Sequence, residues 1–122
     1  MADLSEKMAT LFHEFVENGK IEQLNELTKQ AINSKNENGL TALHKATSEG
    51  NLAMAAYLIR NGAQTEVEDN FGNTPLIYAA MENELEVAKL LISHGAQVNK
   101  PNRRGITPLS MAVMQRNFDV VL

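Results

Sequence analysis

The chain has 122 residues, of which 43% are hydrophobic and 21% charged, so it is long enough for one domain and too apolar to be disordered throughout. It contains no cysteine, which excludes disulfides, thiolate metal sites and a cysteine nucleophile. The net charge of −4 gives no reason to expect nucleic acid or an anionic membrane as a partner, and no apolar run approaches the roughly 20 residues that span a bilayer.

Residues 1–35 predict a helical N-terminal capping unit. Many charges between Asp3 and Gln30 accompany an apolar group formed by Leu11, Phe12, Phe15 and Val16. Because one face of a terminal unit meets water, we expect it to be a divergent copy of the units that follow. The first ten residues lack the apolar core of a signal peptide, so we expect the protein in the cytoplasm, with the nucleus as the alternative.

Three copies of one pattern follow with a period of 33 residues. The recurring positions are Gly39, Gly72 and Gly105; Thr41, Thr74 and Thr107; Leu43, Leu76 and Leu109; and Ala46, Ala79 and Ala112. Glycine permits a polar turn with positive φ, and the threonine two residues later is a helix cap, followed by Pro75 or Pro108 at the first helical position. Breaks near Gly50, Asn83 and Asn117 divide a first short helix from a second one.

These patterns predict units at residues 36–68 and 69–101, and a truncated C-terminal unit at 102–122. The last unit stops one turn into its second helix, which leaves an apolar end at Phe118, Val120, Val121 and Leu122. We therefore expect a fragment of a longer protein, or a tail that is frayed or covered by a neighbour. Such an uncapped end also predicts self-association.

A turn followed by two helices, repeated every 33 residues, resembles the ankyrin repeat family. The stretches from Gly72 to Leu76 and from Leu90 to Asn99 look like its two most recognisable motifs. The resemblance implies an all-α solenoid of stacked helix-turn-helix units with β-turn tips. It also implies that His44, in a segment similar to the family's Thr-Pro-Leu-His-x-Ala signature, ties neighbouring turns together. Other residues occupy the matching positions of the later units, which argues against a uniform ladder of such bonds.

No residue pattern indicates catalysis, a cofactor or a metal site. The three histidines lie in different units, and none has a carboxylate at metal-ligand spacing. They are His13, His44 and His94. The carboxylates around one helix break predict a solvated acidic corner and not a catalytic pair: Glu82, Glu84 and Glu86. No nucleophile elbow or phosphate-binding loop is present, so we expect no enzyme activity.

The resemblance implies a concave binding face made of turn tips and the exposed side of the first helices. Its tip residues are Glu37, Asn38, Leu40, Asn70, Phe71, Asn73, Arg103, Arg104 and Ile106. Its helix residues are Ser48, Glu49, Tyr78, Met81, Glu82, Met114 and Gln115. These columns vary between units while the framework columns repeat. We expect Phe71 to be the main anchor for a partner; the alternative is that it packs against Leu40 or Ile106.

The sequence thus predicts a scaffold or adaptor that binds another protein. The alternatives are an inhibitory ankyrin protein of a kinase or transcription factor, or the recognition part of a larger enzyme or effector. Lys100, Arg103 and Arg104 form a basic cluster, but aromatic residues are only 5% of the chain, which argues against nucleic acid. Six acids between Asn61 and Glu86, followed by five bases up to Phe118, predict an acidic layer beside a basic one, either as solvated faces or for steering a partner.

Overall fold

The computed structural model describes residues 31–116, and within this range it has five complete helices and no strand. The helices are α1 (Ala42–Ser48), α2 (Leu52–Arg60), α3 (Pro75–Glu82), α4 (Leu85–Ser93) and α5 (Pro108–Met114). The predicted all-α class is confirmed. The predicted helices of the capping unit, up to residue 30, and the apolar end from Asn117 to Leu122 lie outside the described residues.

A threonine caps the first helix of each unit. In every case its hydroxyl oxygen accepts a hydrogen bond from the backbone N–H three residues later, which satisfies one of the free donors at a helix start. The three caps are Thr41, Thr74 and Thr107. Pro75 and Pro108 then occupy the first helical position, where the missing N–H costs nothing. The predicted starts of these helices are confirmed.

The second helices begin and end where the sequence predicts. Residues 49–51 separate α1 from α2, and Asn83, in the left-handed conformation with φ 57°, separates α3 from α4 together with Glu84. Gly62 and Gly95 follow the ends of α2 and α4 with φ of 100° and 89°, which are conformations that favour glycine. The chain then runs out to the next turn.

The helices form two rows. The first helices stack as α1, α3 and α5, while α2 packs on α4 in the second row, and each pair within a unit also packs together. The core lies between the rows, where Leu43, Leu58, Leu76 and Leu91 are at most 1% exposed. Small side chains at the repeated alanine position are fully buried, which lets neighbouring first helices approach closely. The turns at the ends of these helices therefore lie in a row as well.

Candidate protein-binding surface

An Asn or Asp side chain fixes the shape of each turn. In the middle turn, Asp69 Oδ1 accepts the backbone N–H groups of Phe71 (2.9 Å) and Asn73 (2.8 Å). In the other two turns, Oδ1 of Asn36 or Asn102 likewise accepts the backbone N–H groups two and four residues later, at 2.9 and 3.0 Å. These three positions are also 33 residues apart, so they are a further framework column of the repeat, in addition to the predicted glycine, threonine, leucine and alanine columns.

The turns are bonded to one another through the backbone. The N–H of Asn70 donates to the carbonyl of Asn38, and the N–H of Arg103 donates to the carbonyl of Phe71, both at 3.1 Å. The Asn70 amide also donates to the carbonyl of Glu37 (3.0 Å). The ladder along the tips is therefore regular, because main-chain groups carry it and it does not depend on one side chain.

Side chains strengthen each junction in different ways. At the first junction His44 Nδ1 accepts the N–H of Thr41 (3.0 Å), so its Nε2 carries the proton and donates to the carbonyl of Asn73 (2.9 Å). The predicted role of His44 in joining turns is confirmed. At the second junction the Asn102 amide donates to the Asn73 side-chain oxygen (2.8 Å). Asn73 thus belongs to both junctions.

The half-buried Tyr78 and the buried Asp69 form a hydrogen-bonded pair behind the middle tip. The Tyr78 hydroxyl donates to Asp69 Oδ2. Burial raises the pKa of Asp69, but the bonds from Tyr78 and from the backbone of Asn73 and Phe71 outweigh it and hold the pKa below its ordinary 3.8. Burial, followed by the bond to Asp69, raises the pKa of Tyr78 to about 12. At neutral pH the carboxylate is therefore charged and the phenol is its donor.

Fifteen of the sixteen predicted site residues are at least partly exposed. The exposed ones are Glu37, Asn38, Glu49, Asn70, Phe71, Glu82, Arg103, Arg104, Met114 and Gln115. The half-buried ones are Leu40, Ser48, Tyr78, Met81 and Ile106. We call the surface made by these fifteen residues the tip face.

Asn73 is the exception among the predicted residues. It is only 8% exposed, its amide donates to Asp69 Oδ2 (3.4 Å), and its oxygen accepts from Asn102. Leu40 and Ile106 occupy the same position in the other turns, so sequence alone placed Asn73 among the variable tip residues. Its side chain joins two turns and is not available to a partner, and we remove it from the binding surface.

A small cavity of about 130 Å³ joins the first two units on the tip face. Its lining combines apolar and polar groups from both units: Leu40, His44, Lys45, Ser48, Glu49 and Tyr78. The convergence of tip and helix residues on one cavity shows that these parts of the predicted site share a surface. The cavity can therefore hold only a few atoms of a partner side chain.

Phe71 is the most exposed large apolar residue of the described chain, at 68%. Its N–H is bound by Asp69 and its carbonyl by Arg103, so the backbone that presents the ring is fixed on both sides. An aromatic ring packed on Leu40 or Ile106 would not leave two thirds of its surface in solvent. Most of the Phe71 side chain is therefore accessible to another molecule.

The predicted acidic and basic layers partly neutralise each other. Lys100 Nζ lies 3.3 Å from Glu68 Oε2 and 4.0 Å from Glu66 Oε2, and it donates to the Glu66 carbonyl (3.1 Å). Lys89 pairs with Glu86 at 3.8 Å on the surface of α4. By contrast, Arg103 and Arg104 form no ion pair within residues 31–116. Two adjacent positive charges without an ion pair in that range thus lie at the third tip.

Two further features bear on function. No group of three or more His, Asp or Glu residues in the described part of the chain is placed to hold a metal ion. None of the helices between residues 31 and 116 is long and apolar enough to cross a membrane.

A family model described as ankyrin repeats, in three copies, matches residues 12–102 and 61–122. The chain belongs to the ankyrin repeat family. Ankyrin repeats generally bind other proteins, and the family is typically non-enzymatic.

The ankyrin repeats of this chain are similar to segments of plant potassium channels. Potassium channel KOR2 from Oryza sativa subsp. japonica is 40% identical over 63 residues, which are 50% of this chain and 9% of the channel. Potassium channel AKT1 from Oryza sativa subsp. indica and subsp. japonica is 37% identical over 62 residues, which are 49% of this chain and 7% of the channel. The similarity thus covers less than a tenth of each relative.

Proposed function

We propose that this chain is a non-catalytic scaffold or adaptor of the cytoplasm that binds another protein through its tip face. The observation that supports this most directly is the exposed aromatic ring of Phe71 on a turn held rigid by hydrogen bonds. Aromatic side chains are frequent anchors of protein interfaces, and a backbone that is already fixed loses little entropy on binding. The turn ladder supplies a stiff platform around it.

The test compares Phe71→Ala with Leu52→Ala. Both remove a large exposed apolar side chain, but Leu52, 41% exposed, lies on α2 in the second row of helices. We expect Phe71→Ala to weaken partner binding at least about tenfold and to change the unfolding free energy by less than about 0.5 kcal/mol. Leu52→Ala is expected to leave binding unchanged.

The measurement is affinity capture from the native lysate with the wild type and both variants, quantified by mass spectrometry, together with urea unfolding. A protein captured by the wild type and Leu52→Ala but depleted with Phe71→Ala supports the proposal. If Phe71→Ala unfolds the chain, the ring is part of the framework and the assigned surface is wrong. If the captured protein is a kinase or transcription factor, an activity assay with added chain separates an inhibitor from an adaptor.

A second candidate is that these repeats are the recognition part of a larger protein. It is favoured by the potassium channels, in which the similar stretch is a small share of a much longer chain. An immunoblot of native tissue with an antibody against this chain decides between the two: a band near 13.5 kDa contradicts the larger protein, and a much larger band supports it.

A further inference from the structure

Phe71, Arg103 and Arg104 lie on the adjacent second and third tips, and we call these three side chains the aromatic–arginine patch. The Arg103 N–H donates to the Phe71 carbonyl at 3.1 Å, so the two turns are in direct contact. Arg104 stands one repeat after Phe71, and their side chains therefore leave adjacent turns at the same position. All three side chains are exposed, and neither guanidinium has an ion pair within residues 31–116.

The charge around this patch is not uniform. No acid occurs between Val87 and Phe118, so the stretch that forms the third tip and α5 contains no carboxylate. The exposed acids of the tip face lie on the first two units, at Glu37, Glu49 and Glu82. The nearby Lys35 is already engaged, because its Nζ donates to the Glu68 carbonyl at 2.9 Å. The tip face is thus basic at one end, aromatic beside it, and acidic farther along.

We propose that the aromatic–arginine patch binds a partner peptide segment in which an apolar residue lies close in sequence to carboxylates. This inference rests on the proposed protein-binding function and names the class of partner. A guanidinium can bind a carboxylate with two parallel hydrogen bonds, which a point charge cannot do. The ring of Phe71 offers an apolar face for the neighbouring residue, and exclusion of water there strengthens the charged bonds.

The dimensions of the patch limit the spacing of the partner motif. Adjacent helices of a stack lie about 8–10 Å apart, and an extended chain advances about 3.3 Å per residue. The apolar residue and the first carboxylate are therefore separated by about three residues. A long polyanion such as nucleic acid fits less well, because it would continue along the tip face toward Glu37, Glu49 and Glu82.

The experiment selects peptides without bias toward charge. A phage library of random 12-residue peptides is panned against the whole chain, and the enriched peptides are synthesised with a fluorescent label. Their dissociation constants are measured by anisotropy for the wild type, Phe71→Ala and the double variant Arg103→Gln/Arg104→Gln. The matched control is Arg60→Gln/Lys89→Gln, which removes the same charge from exposed positions on α2 and α4.

We expect enriched peptides with an apolar residue and carboxylates at the stated spacing. Their affinity falls at least about tenfold with Arg103→Gln/Arg104→Gln and changes less than about twofold in the control. Neutral or basic peptides that depend on Phe71 but not on the arginines would overturn this inference and leave the proposed function standing. If no enriched peptide depends on Phe71, both fail. An oligo-dT strand that binds more tightly than the peptides through the same arginines would identify the patch as a nucleic-acid site.

Discussion

At the scale of single residues, His44 links two units through hydrogen bonds of its neutral imidazole ring. Burial lowers its pKa below the ordinary 6.5, and the bond to the Asn73 carbonyl and the charge of Asp69 offset only part of that shift. Protonation of Nδ1 would remove the acceptor for the Thr41 N–H. Because the unfolded chain binds the proton more readily, the contribution of His44 to stability is complete above about pH 6.5 and is lost as the pH falls below that value.

We therefore predict that the wild type loses more stability than His44→Gln between pH 7.5 and pH 5. This window lies above the ordinary pKa of 3.8 for Asp69, which stays ionised throughout. Urea unfolding curves of both proteins at several pH values measure the difference. Parallel pH dependence for the two proteins would show that His44 does not control it.

The role of a residue was predictable where its side chain acts within its own unit or belongs to a family signature. The threonine caps and His44 belong to that class. The burial of Asn73 was not predictable, because it follows from two partners, Asp69 and Asn102, that only the folded turns bring together. The same holds for Lys100, whose carboxylate partners belong to the preceding repeat.

At the scale of elements, the turns offer an internal comparison. Gly72 and Gly105 have nearly the same φ, 79° and 77°, and so the same local preference for glycine. A β-carbon on Gly72 would lie 2.8 Å from the backbone N of Arg103, whereas one on Gly105 would meet nothing within 4 Å. Substitutions at the two positions therefore distinguish the cost of local backbone strain from the cost of a clash between turns.

We predict that Gly105→Ala costs about 1–2 kcal/mol of unfolding free energy through the positive φ alone. Gly72→Ala is expected to cost about 1–3 kcal/mol more, because backbone on the next turn must move. Chemical denaturation of the two variants measures both values. Equal losses would mean that close contact between turns adds nothing to stability.

The limits of the helices were predictable because capping residues and glycines mark them in the sequence. Each first helix starts after its threonine, and each second helix ends before Gly62 or Gly95. The regular bonding between turns was not predictable from side chains. It depends on main-chain groups that every residue has, and we argued against a uniform ladder because His44 is not repeated.

At the scale of the whole molecule, α5 presents apolar side chains that its counterparts bury. Leu109 is 38% exposed, whereas Leu43 and Leu76 at the same repeat position are 1% exposed. Val113 is 53% exposed, and the equivalent Ala80 is fully buried. Within residues 31–116, α5 has no further layer packed on it as α3 packs on α1. We propose that this side of α5 contributes to self-association, which the sequence predicts for the apolar end from Phe118 to Leu122.

We predict that Val113→Lys shifts the chain toward the monomer at high concentration, because a charge would be buried in the contact. Leu52→Lys, at an exposed apolar position on α2, is the control and is expected to change nothing. Light scattering coupled to size-exclusion chromatography measures the mass over a range of concentrations. A wild type that is monomeric throughout would contradict the proposal.

In each turn, the residues that shape the backbone are different from those exposed to a partner, and this affects how new partners are acquired. One Asn or Asp and one Gly set the path of the backbone. The side chains of the two residues between them do not shape the turn, apart from that of Asn70, which bonds to the preceding turn. In this chain those pairs are Glu37–Asn38, Asn70–Phe71 and Arg103–Arg104. Natural selection can therefore change the specificity of one layer by point substitution while the inherited shape of the solenoid is preserved.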